Sequence, residues 1–199
     1  GVIKRIAPTN ELSSEYIGVE IIDLGGEAIV PGLVDSHTHL LWAGDRSREV
    51  SWKQQGLSYR EIALKGGGIN ATVKPTRDST DEDLRLIGIE RMQEALRNGT
   101  THMEAKSGYG LDTKTELRLL SIGNQLNGIK NLPALDLTWL GAHSSPPSSN
   151  ITEYCEEILS DQLPAIIDQG IARSADVFCE PGWFSVEQSE DILKASRSG

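Results

Sequence analysis

Four short apolar segments, each followed by a helix-forming stretch, constrain the fold of this chain most. The predicted strands cover residues 29–34, 100–105, 134–140 and 175–179, and their apolar character is typical of strands covered on both faces. Repeated alternation of strand and helix implies parallel strands joined by right-handed crossovers. The sequence therefore predicts an α/β fold, which is either doubly wound or a barrel.

The predicted helices begin and end at recognisable residues. In a capping box, a hydroxyl accepts a hydrogen bond from the amide three residues later, and the side chain there reaches back. Three such pairs mark helix starts: Ser79 with Glu82, Thr113 with Glu116, and Ser185 with Gln188. Gly99 and Gly170 are expected to supply left-handed caps at two helix ends.

The number of strand–helix units separates the two α/β folds. A closed (β/α)8 barrel needs eight units and about 250 residues, whereas this chain has four units in 199 residues. The glycines at 66–68 lie in a loop and match no dinucleotide or phosphate-binding fingerprint, which disfavours a doubly wound nucleotide-binding domain. We therefore expect residues 33–199 to form the first half of a TIM-type barrel.

The first 32 residues differ from the rest of the chain. Residues 18–30 are β-branched, punctuated by glycines and without helical periodicity, which predicts a few short strands. Such strands bury too little surface to stand alone. Residues 1–32 are therefore expected to form part of a small β-sandwich domain that other segments complete.

Composition excludes several classes of function. The 19 basic and 29 acidic residues give a net charge of −10, which repels phosphate backbones, so nucleic acid is not an expected partner. No apolar run approaches the roughly 18 residues of a membrane span, and the start lacks a signal-peptide pattern. Cys155 and Cys179 form no Cys-x-x-Cys pair and are expected to pack in the core. We expect a cytoplasmic protein that acts on a small molecule.

Two of the four histidines, His37 and His39, follow the first predicted strand. In an extended segment, residues i and i+2 project to the same face, so both imidazoles can reach one cation. Neutral imidazole suits zinc, iron, nickel or cobalt, and α/β enzymes assemble their sites at the carboxyl ends of strands. The alternative is a pair of solvated loop histidines. His102, in the middle of the second strand, is given little functional weight.

Three other side chains follow predicted strands. Tyr109 lies between two glycines, which permit close approach to a ligand. His143 can bind a metal, donate a proton or form hydrogen bonds. Arg46 can hold a substrate carboxylate through two parallel hydrogen bonds. The alternatives are a turn tyrosine, a structural histidine, and a surface arginine paired with Asp45 or Glu49.

These residues lie within motifs that resemble a known superfamily. Residues 31–39 resemble the first-strand motif of the amidohydrolases, whose members bind metal at the mouth of a (β/α)8 barrel. Within that superfamily, five further segments resemble the imidazolonepropionase family, in order and over nearly the whole chain. The segments are 43–47, 66–69 with Thr72 and Val73, 106–111, 141–143 followed by Pro146 and Pro147, and 176–180 with 184–189.

The resemblance implies a role for each candidate residue. His37 and His39 would be metal ligands, Arg46 and Tyr109 would contact substrate, and His143 would do so and stabilise an oxyanion. A single zinc or iron ion is expected, because no lysine ends the fourth strand, where two-metal relatives carry a bridging one. The resemblance places a third histidine, a catalytic glutamate and a metal-binding aspartate beyond Gly199, so an N-terminal fragment is expected.

The implied activity is metal-dependent hydrolysis of the cyclic amide C–N bond of 4-imidazolone-5-propionate to N-formimino-L-glutamate, in histidine degradation. One alternative is another cyclic-amide hydrolase or a base deaminase of the same superfamily. A second alternative is a non-catalytic fragment that lacks half of the site. The resemblance also implies a homodimer, and the sequence leaves the choice between zinc and iron open.

Overall fold

The computed structural model describes residues 2–146 and 149–197, without the side chain of Ser13. Pro147 of the diproline motif therefore lies outside the described residues. The chain divides into two compact units between Pro31 and Gly32.

The first unit contains one short helix, α1 (Thr9–Glu15). Among residues 2–31 the structure describes no strand, so the short strands expected over 18–30 are not formed. A strand needs a neighbour for its N–H and C=O groups, and apolar side chains here, such as Ile21 and Val30, remain exposed. The β-sandwich stays a prediction.

The second unit is built on a four-stranded parallel sheet. Its strands are β1 (Leu33–Thr38), β2 (Thr100–Lys106), β3 (Ala134–Ala142) and β4 (Ser174–Val177), paired in the order β1-β2-β3-β4. The α/β prediction is confirmed. In a doubly wound sheet the strand order reverses partway, whereas here it follows the chain, which is compatible with half of a barrel.

Three of the four predicted strands lie where they were expected, but the first does not. Pairing begins where the Leu33 amide donates to the Gly99 carbonyl, 2.9 Å away. β2 begins at Thr100, and its described register with β1 begins at Leu33. The first strand therefore runs from Leu33 to Thr38 and contains His37.

Eight helices and one π-helical turn are described in the second unit. They are α2 (Arg48–Gln54), α3 (Tyr59–Leu64), α4 (Asn70–Asp78), α5 (Asp81–Arg97), α6 (Thr113–Leu126), α7 (Ile151–Glu157), the π turn (Ile158–Gln162), α8 (Leu163–Gln169) and α9 (Val186–Arg197). Gly99 (φ +92°) and Gly170 (φ +64°) have the left-handed conformation predicted for them.

One of the three predicted capping boxes is present. Ser185 and Gln188 exchange hydrogen bonds of 3.0 and 3.2 Å. The box at α5 is shifted by one residue and uses Thr80 with Asp83. At α6 the cap is Asp112, so Thr113 and Glu116 do not form a box. The wrong assignments share a cause, since a neighbouring residue also has a capping side chain.

The core lies between the sheet and its helices. Met103 and Ala105 of β2 pack there with side chains of α5 and α6 such as Leu84 and Leu119. Cys155 is buried as predicted, but Cys179 is exposed because it follows the edge strand β4. No helix among the described residues is long and apolar enough to cross a membrane.

Candidate functional site at the strand ends

Residues from three successive strands meet at the carboxyl edge of the sheet. His37 lies in β1 and His39 directly after it, Tyr109 follows β2, and His143 follows β3. The His39 ring stacks on the His143 ring with centroids 4.8 Å apart, and lies 5.6 Å from His37 and 5.1 Å from Tyr109. Parallel pairing in chain order brings together side chains that are more than 100 residues apart.

His39 has an unusual environment within this cluster. Burial, together with the nearby His143, His37 and Lys106, lowers the pKa of His39 to about 4. Its Nδ1 atom is buried and has no hydrogen-bond partner. Buried polar atoms nearly always have a hydrogen-bond partner. A neutral imidazole whose buried nitrogen has none can therefore offer the lone pair of that nitrogen to a metal ion.

The tautomer of His143 follows from its partner. Nδ1 lies 3.0 Å from the Gly108 carbonyl oxygen. Because a carbonyl oxygen only accepts, Nδ1 carries the proton. Burial lowers the pKa of His143 to about 4, so the ring is neutral near pH 7 and its Nε2 accepts hydrogen bonds.

Arg46 is held by a neighbouring carboxylate. Its Nε and Nη2 donate to the two carboxylate oxygens of buried Glu49 at 2.7 and 2.8 Å. Glu49 also accepts from the Gly68 amide at 2.7 Å, which ties the glycine loop to α2. This pairing uses the Nε–Nη2 side of the guanidinium, and the Nη1–Nη2 side is the one with which Arg46 could bind another carboxylate.

Aromatic rings surround Tyr109, whose side chain is buried. Burial raises the pKa of Tyr109 and outweighs the opposing effect of Arg46, so the hydroxyl stays protonated. Trp42 stacks on Tyr109 at 5.9 Å, and Arg91 lies 4.1 Å from the Trp42 ring. Arg91 also donates to the Leu40 carbonyl at 2.6 Å, which ties α5 to the segment after β1.

A buried polar network supports the end of β3 before His143. Gln162 lies in the π turn, where its side-chain oxygen accepts from Trp139 Nε1 at 3.0 Å and its amide donates to the Tyr154 hydroxyl at 3.2 Å. That hydroxyl donates to the Gly141 carbonyl at 3.1 Å. A Cβ atom at Gly141 would lie 1.7 Å from the Gln162 oxygen, so glycine is required there.

A cluster of charged side chains lies on the sheet near the histidines. Lys106 is buried and binds Glu104 at 2.8 Å and Asp176 at 3.0 Å. His102, which was given little weight, lies 2.9 Å from Asp136. In the described part of the chain, no group of three or more His, Cys, Asp or Glu side chains is arranged to hold a metal ion. The paired histidines are therefore at most a partial ligand set.

The cluster brings together four of the nominated residues, His37, His39, Tyr109 and His143, and the fifth, Arg46, lies near enough to Tyr109 to affect its pKa. The sequence analysis missed some of the neighbouring residues. Phe178 lies 6.0 Å from His143, and Trp42 lies against Tyr109. Aromatic residues near strand ends usually pack in the core, so neither carried a distinguishing signal. Glu116 and Gln162 were missed because a helical carboxylate or amide is normally a cap or a solvated side chain.

The fold and the site define a class of protein. It is an α/β protein whose parallel strands pair in chain order and whose carboxyl edge carries paired histidines, a tyrosine and a further histidine. No family model matches the chain. The individual relatives are imidazolonepropionases, and the resemblance indicated by the motifs is confirmed. The chain is 41% identical over 198 residues to the Haloarcula marismortui enzyme, covering 98% of this chain and 47% of that protein.

Two further imidazolonepropionases give the same result. The Shewanella sediminis protein is 44% identical over 174 residues, covering 86% of this chain and 42% of the relative. The Idiomarina loihiensis protein is 41% identical over 181 residues, covering 89% and 44%. The chain thus spans about half the length of the curated relatives it matches.

Proposed function

We propose that this chain contributes part of the active site of a metal-dependent hydrolase that opens the ring of 4-imidazolone-5-propionate to N-formimino-L-glutamate. The observation that carries the proposal is the meeting of His37, His39, Tyr109 and His143 at one sheet edge. Similarity to imidazolonepropionases over nearly the whole chain supports the same substrate. The comparisons do not favour a base deaminase.

The proposal includes a single zinc or iron ion. His37 and His39 would hold it, and the buried, unpartnered Nδ1 of His39 supports that role. A metal ion bound there supplies a nucleophile at neutral pH by lowering the pKa of water. The resemblance assigns the other ligands to the half of the relatives that this chain does not span. The finer fold, half of a TIM-type barrel beside a small β-sandwich, is part of this proposal.

Arg46 would bind the propionate group through the side of its guanidinium that Glu49 does not hold. Glu49 holds the other side, so the fork is oriented before substrate arrives, which lowers the entropic cost of binding. The protonated Tyr109 hydroxyl beside it would donate a hydrogen bond that orients the ring.

His143 would face the substrate with Nε2. In the neutral tautomer that nitrogen accepts a hydrogen bond from a ring N–H, or takes a proton. The oxyanion role expected from the resemblance requires a second proton on the imidazole. The hydrolysis adds water across the C–N bond, leaving a carboxylate on carbon, and the leaving nitrogen gains a proton.

The carboxylate-binding role of Arg46 gives the first test. Loss of 4-imidazolone-5-propionate is followed by ultraviolet absorbance on the full natural polypeptide supplied with zinc or iron(II). We expect Arg46→Ala to raise KM by roughly 10–100-fold, the value of a charge-assisted pair. Arg85→Ala, an exposed arginine paired with Glu82 on α5, is the control. An unchanged KM in Arg46→Ala would contradict the assignment.

Metal binding is tested without activity, by equilibrium dialysis against zinc. We expect His37→Ala and His39→Ala to weaken zinc binding at least about tenfold, the lower range for damage to a metal site. His102→Ala removes a histidine of the same sheet that lies outside the cluster and should bind as the unmodified protein does. Equal binding by all three variants would overturn the ligand assignment.

A further inference from the structure

Glu116 is a buried carboxylate that the proposed chemistry does not use. It lies on α6, is completely inaccessible to solvent, and has no charged partner among the contacts described. Its Oε2 accepts from the Gly108 amide at 2.7 Å, and its Oε1 accepts from the amides of Gly110 and Leu111 at 2.7 and 2.9 Å. Three N–H groups of one loop therefore bind a single side chain.

The loop that Glu116 binds carries Tyr109. Gly108 and Gly110, on either side of the tyrosine, both donate to the carboxylate. The carbonyl of Gly108 is the acceptor for His143. Glu116 is thus connected to both side chains through a single residue of main chain, Gly108.

The loop geometry is shaped around this carboxylate. A Cβ atom at Gly110 would lie 2.9 Å from Glu116 Oε1 and 2.5 Å from Thr115 Cβ, so the approach requires glycine. Gly108 has φ +95° and Leu111 has φ +52°, both in the left-handed region. Glycine adopts such a conformation readily, but Leu111 keeps it only where surrounding contacts hold it.

The carbonyl groups of the same loop accept hydrogen bonds from a side chain of another helix. Arg77 of α4 donates from Nε to the Gly110 carbonyl at 2.6 Å and from Nη2 to the Leu111 carbonyl at 2.9 Å. A carboxyl group therefore binds the loop amides and a guanidinium binds the loop carbonyls. Side chains from two different helices thus hold residues 108–111.

We propose that Glu116 is a positioning residue for the hydrolysis: it holds the 108–111 loop so that Tyr109 and the Gly108 carbonyl that orients His143 keep their places against the substrate. This inference rests on the proposed function. It assigns to Glu116 a role in turnover that acts through the main chain of the loop.

Glu116→Gln is the informative variant. The amide keeps the size of the side chain but replaces one acceptor oxygen with an NH2 group, which in either orientation faces at least one loop N–H. We expect kcat to fall on the order of 10–100-fold, the effect of a misplaced catalytic group. KM should change less, because Arg46 still binds the propionate.

A control separates positioning from loss of stability. Leu126→Ala opens a cavity at the other end of the same helix, where Leu126 packs beside Gly88 of α5. At temperatures that give both variants the same folded fraction, Glu116→Gln should lose far more activity. Equal losses in the two variants, or a wild-type kcat in Glu116→Gln, would overturn the proposal.

Amide hydrogen exchange gives a readout that does not depend on activity. In Glu116→Gln the amides of Gly108, Gly110 and Leu111 should exchange at least about tenfold faster while those in the middle of α6 do not. Leu126→Ala should leave the three loop amides slow, and unchanged loop exchange in Glu116→Gln would also overturn the proposal. Failure of the unmodified protein to hydrolyse the substrate would instead contradict the proposed function.

Discussion

At the scale of single residues, the site depends on contacts made by the main chain as much as by side chains. The Gly108 carbonyl determines which nitrogen of His143 carries the proton, and therefore whether the imidazole donates or accepts. Gly108 makes this contact in a conformation that L-residues avoid. A glycine beside the tyrosine thus decides the chemistry of a histidine 35 residues away.

Replacement of Gly108 should be costly. Alanine adds a Cβ atom 2.5 Å from the Leu140 carbonyl oxygen at φ +95°, so steric overlap adds to backbone strain. We expect Gly108→Ala to lower the free energy of unfolding by about 3 kcal/mol or more, through strain and forced displacement. Gly128→Ala is the control, because Gly128 has φ +86° and open space around it; strain alone should cost about 1 kcal/mol. Equal losses in urea unfolding would contradict the steric argument.

The Arg46–Glu49 pair gives a pH-dependent contribution to stability. The hydrogen bond from Arg46 holds the pKa of Glu49 below its usual value. A carboxyl whose pKa is lower in the folded state stabilises the protein above its unfolded pKa, about 4.3, and loses that contribution as pH falls through the folded pKa. We expect Glu49→Gln to cost about 2 kcal/mol near neutral pH, the value of hydrogen bonds to a charged group.

As the pH falls from about 4.3 through the lower folded pKa of Glu49, protonation of Glu49 in the unmodified protein should progressively remove that difference. Urea unfolding over this pH range measures it, with the exposed Glu94→Gln as the control. A difference that stays constant as the pH falls would show that the charge of Glu49 does not matter.

At the scale of elements, the π turn between α7 and α8 has an identifiable purpose. The π turn contains one more residue per turn than an α-helix, and Gln162 lies in it. The Gln162 side chain accepts a hydrogen bond from Trp139 and donates one to Tyr154. Such insertions in helices often occur at functional sites. Here the insertion supports Gly141, two residues before His143.

Removal of the Gln162 amide should destabilise the sheet–helix contact. Gln162→Leu has similar volume but leaves the Trp139 N–H and one side of the Tyr154 hydroxyl without partners in the core. We expect a loss of about 2–4 kcal/mol in the free energy of unfolding, measured by thermal or urea denaturation. Gln125→Leu, on the exposed face of α6, should change stability by less than about 0.5 kcal/mol. An unchanged free energy of unfolding in Gln162→Leu would contradict the stabilising role of this hydrogen-bond network.

At the scale of the whole molecule, the sheet ends at two open edges. Among the described residues, β1 and β4 each pair on one side only, and Leu33 and Val34 of β1 are 58% and 67% exposed. Unpaired strand edges with apolar side chains favour pairing with another chain. This feature agrees with the relatives' being about twice as long as this chain.

The 199-residue chain by itself should therefore self-associate. We expect sedimentation velocity to show an average mass that rises with concentration, and Val34→Lys to reduce it, because a charge on an edge strand opposes pairing. Leu64→Lys, which adds the same charge at an exposed apolar residue of α3, is the control. A monomer at every concentration would contradict this prediction.

How far the sequence predicts this molecule depends on the range of the interaction. Three strands, two glycine caps and the Ser185–Gln188 box follow from periodicity and residue type within a short window. The start of β1 was wrong by four residues because it depends on where β2 begins, 67 residues later. The strands expected over 18–30 failed to form because their pairing needs partners that local pattern does not supply.

The sequence by itself determined that strands and helices alternate and that His37 and His39 share a face, since both follow from the geometry of the local backbone. Only the tertiary structure decided that the strands pair in chain order, which brings His143 onto His39. It also decided that Glu116 binds a loop instead of capping its own helix, and that His143 presents an acceptor. These outcomes depend on contacts between distant residues, whose energies are set by packing and burial and are invisible to local pattern.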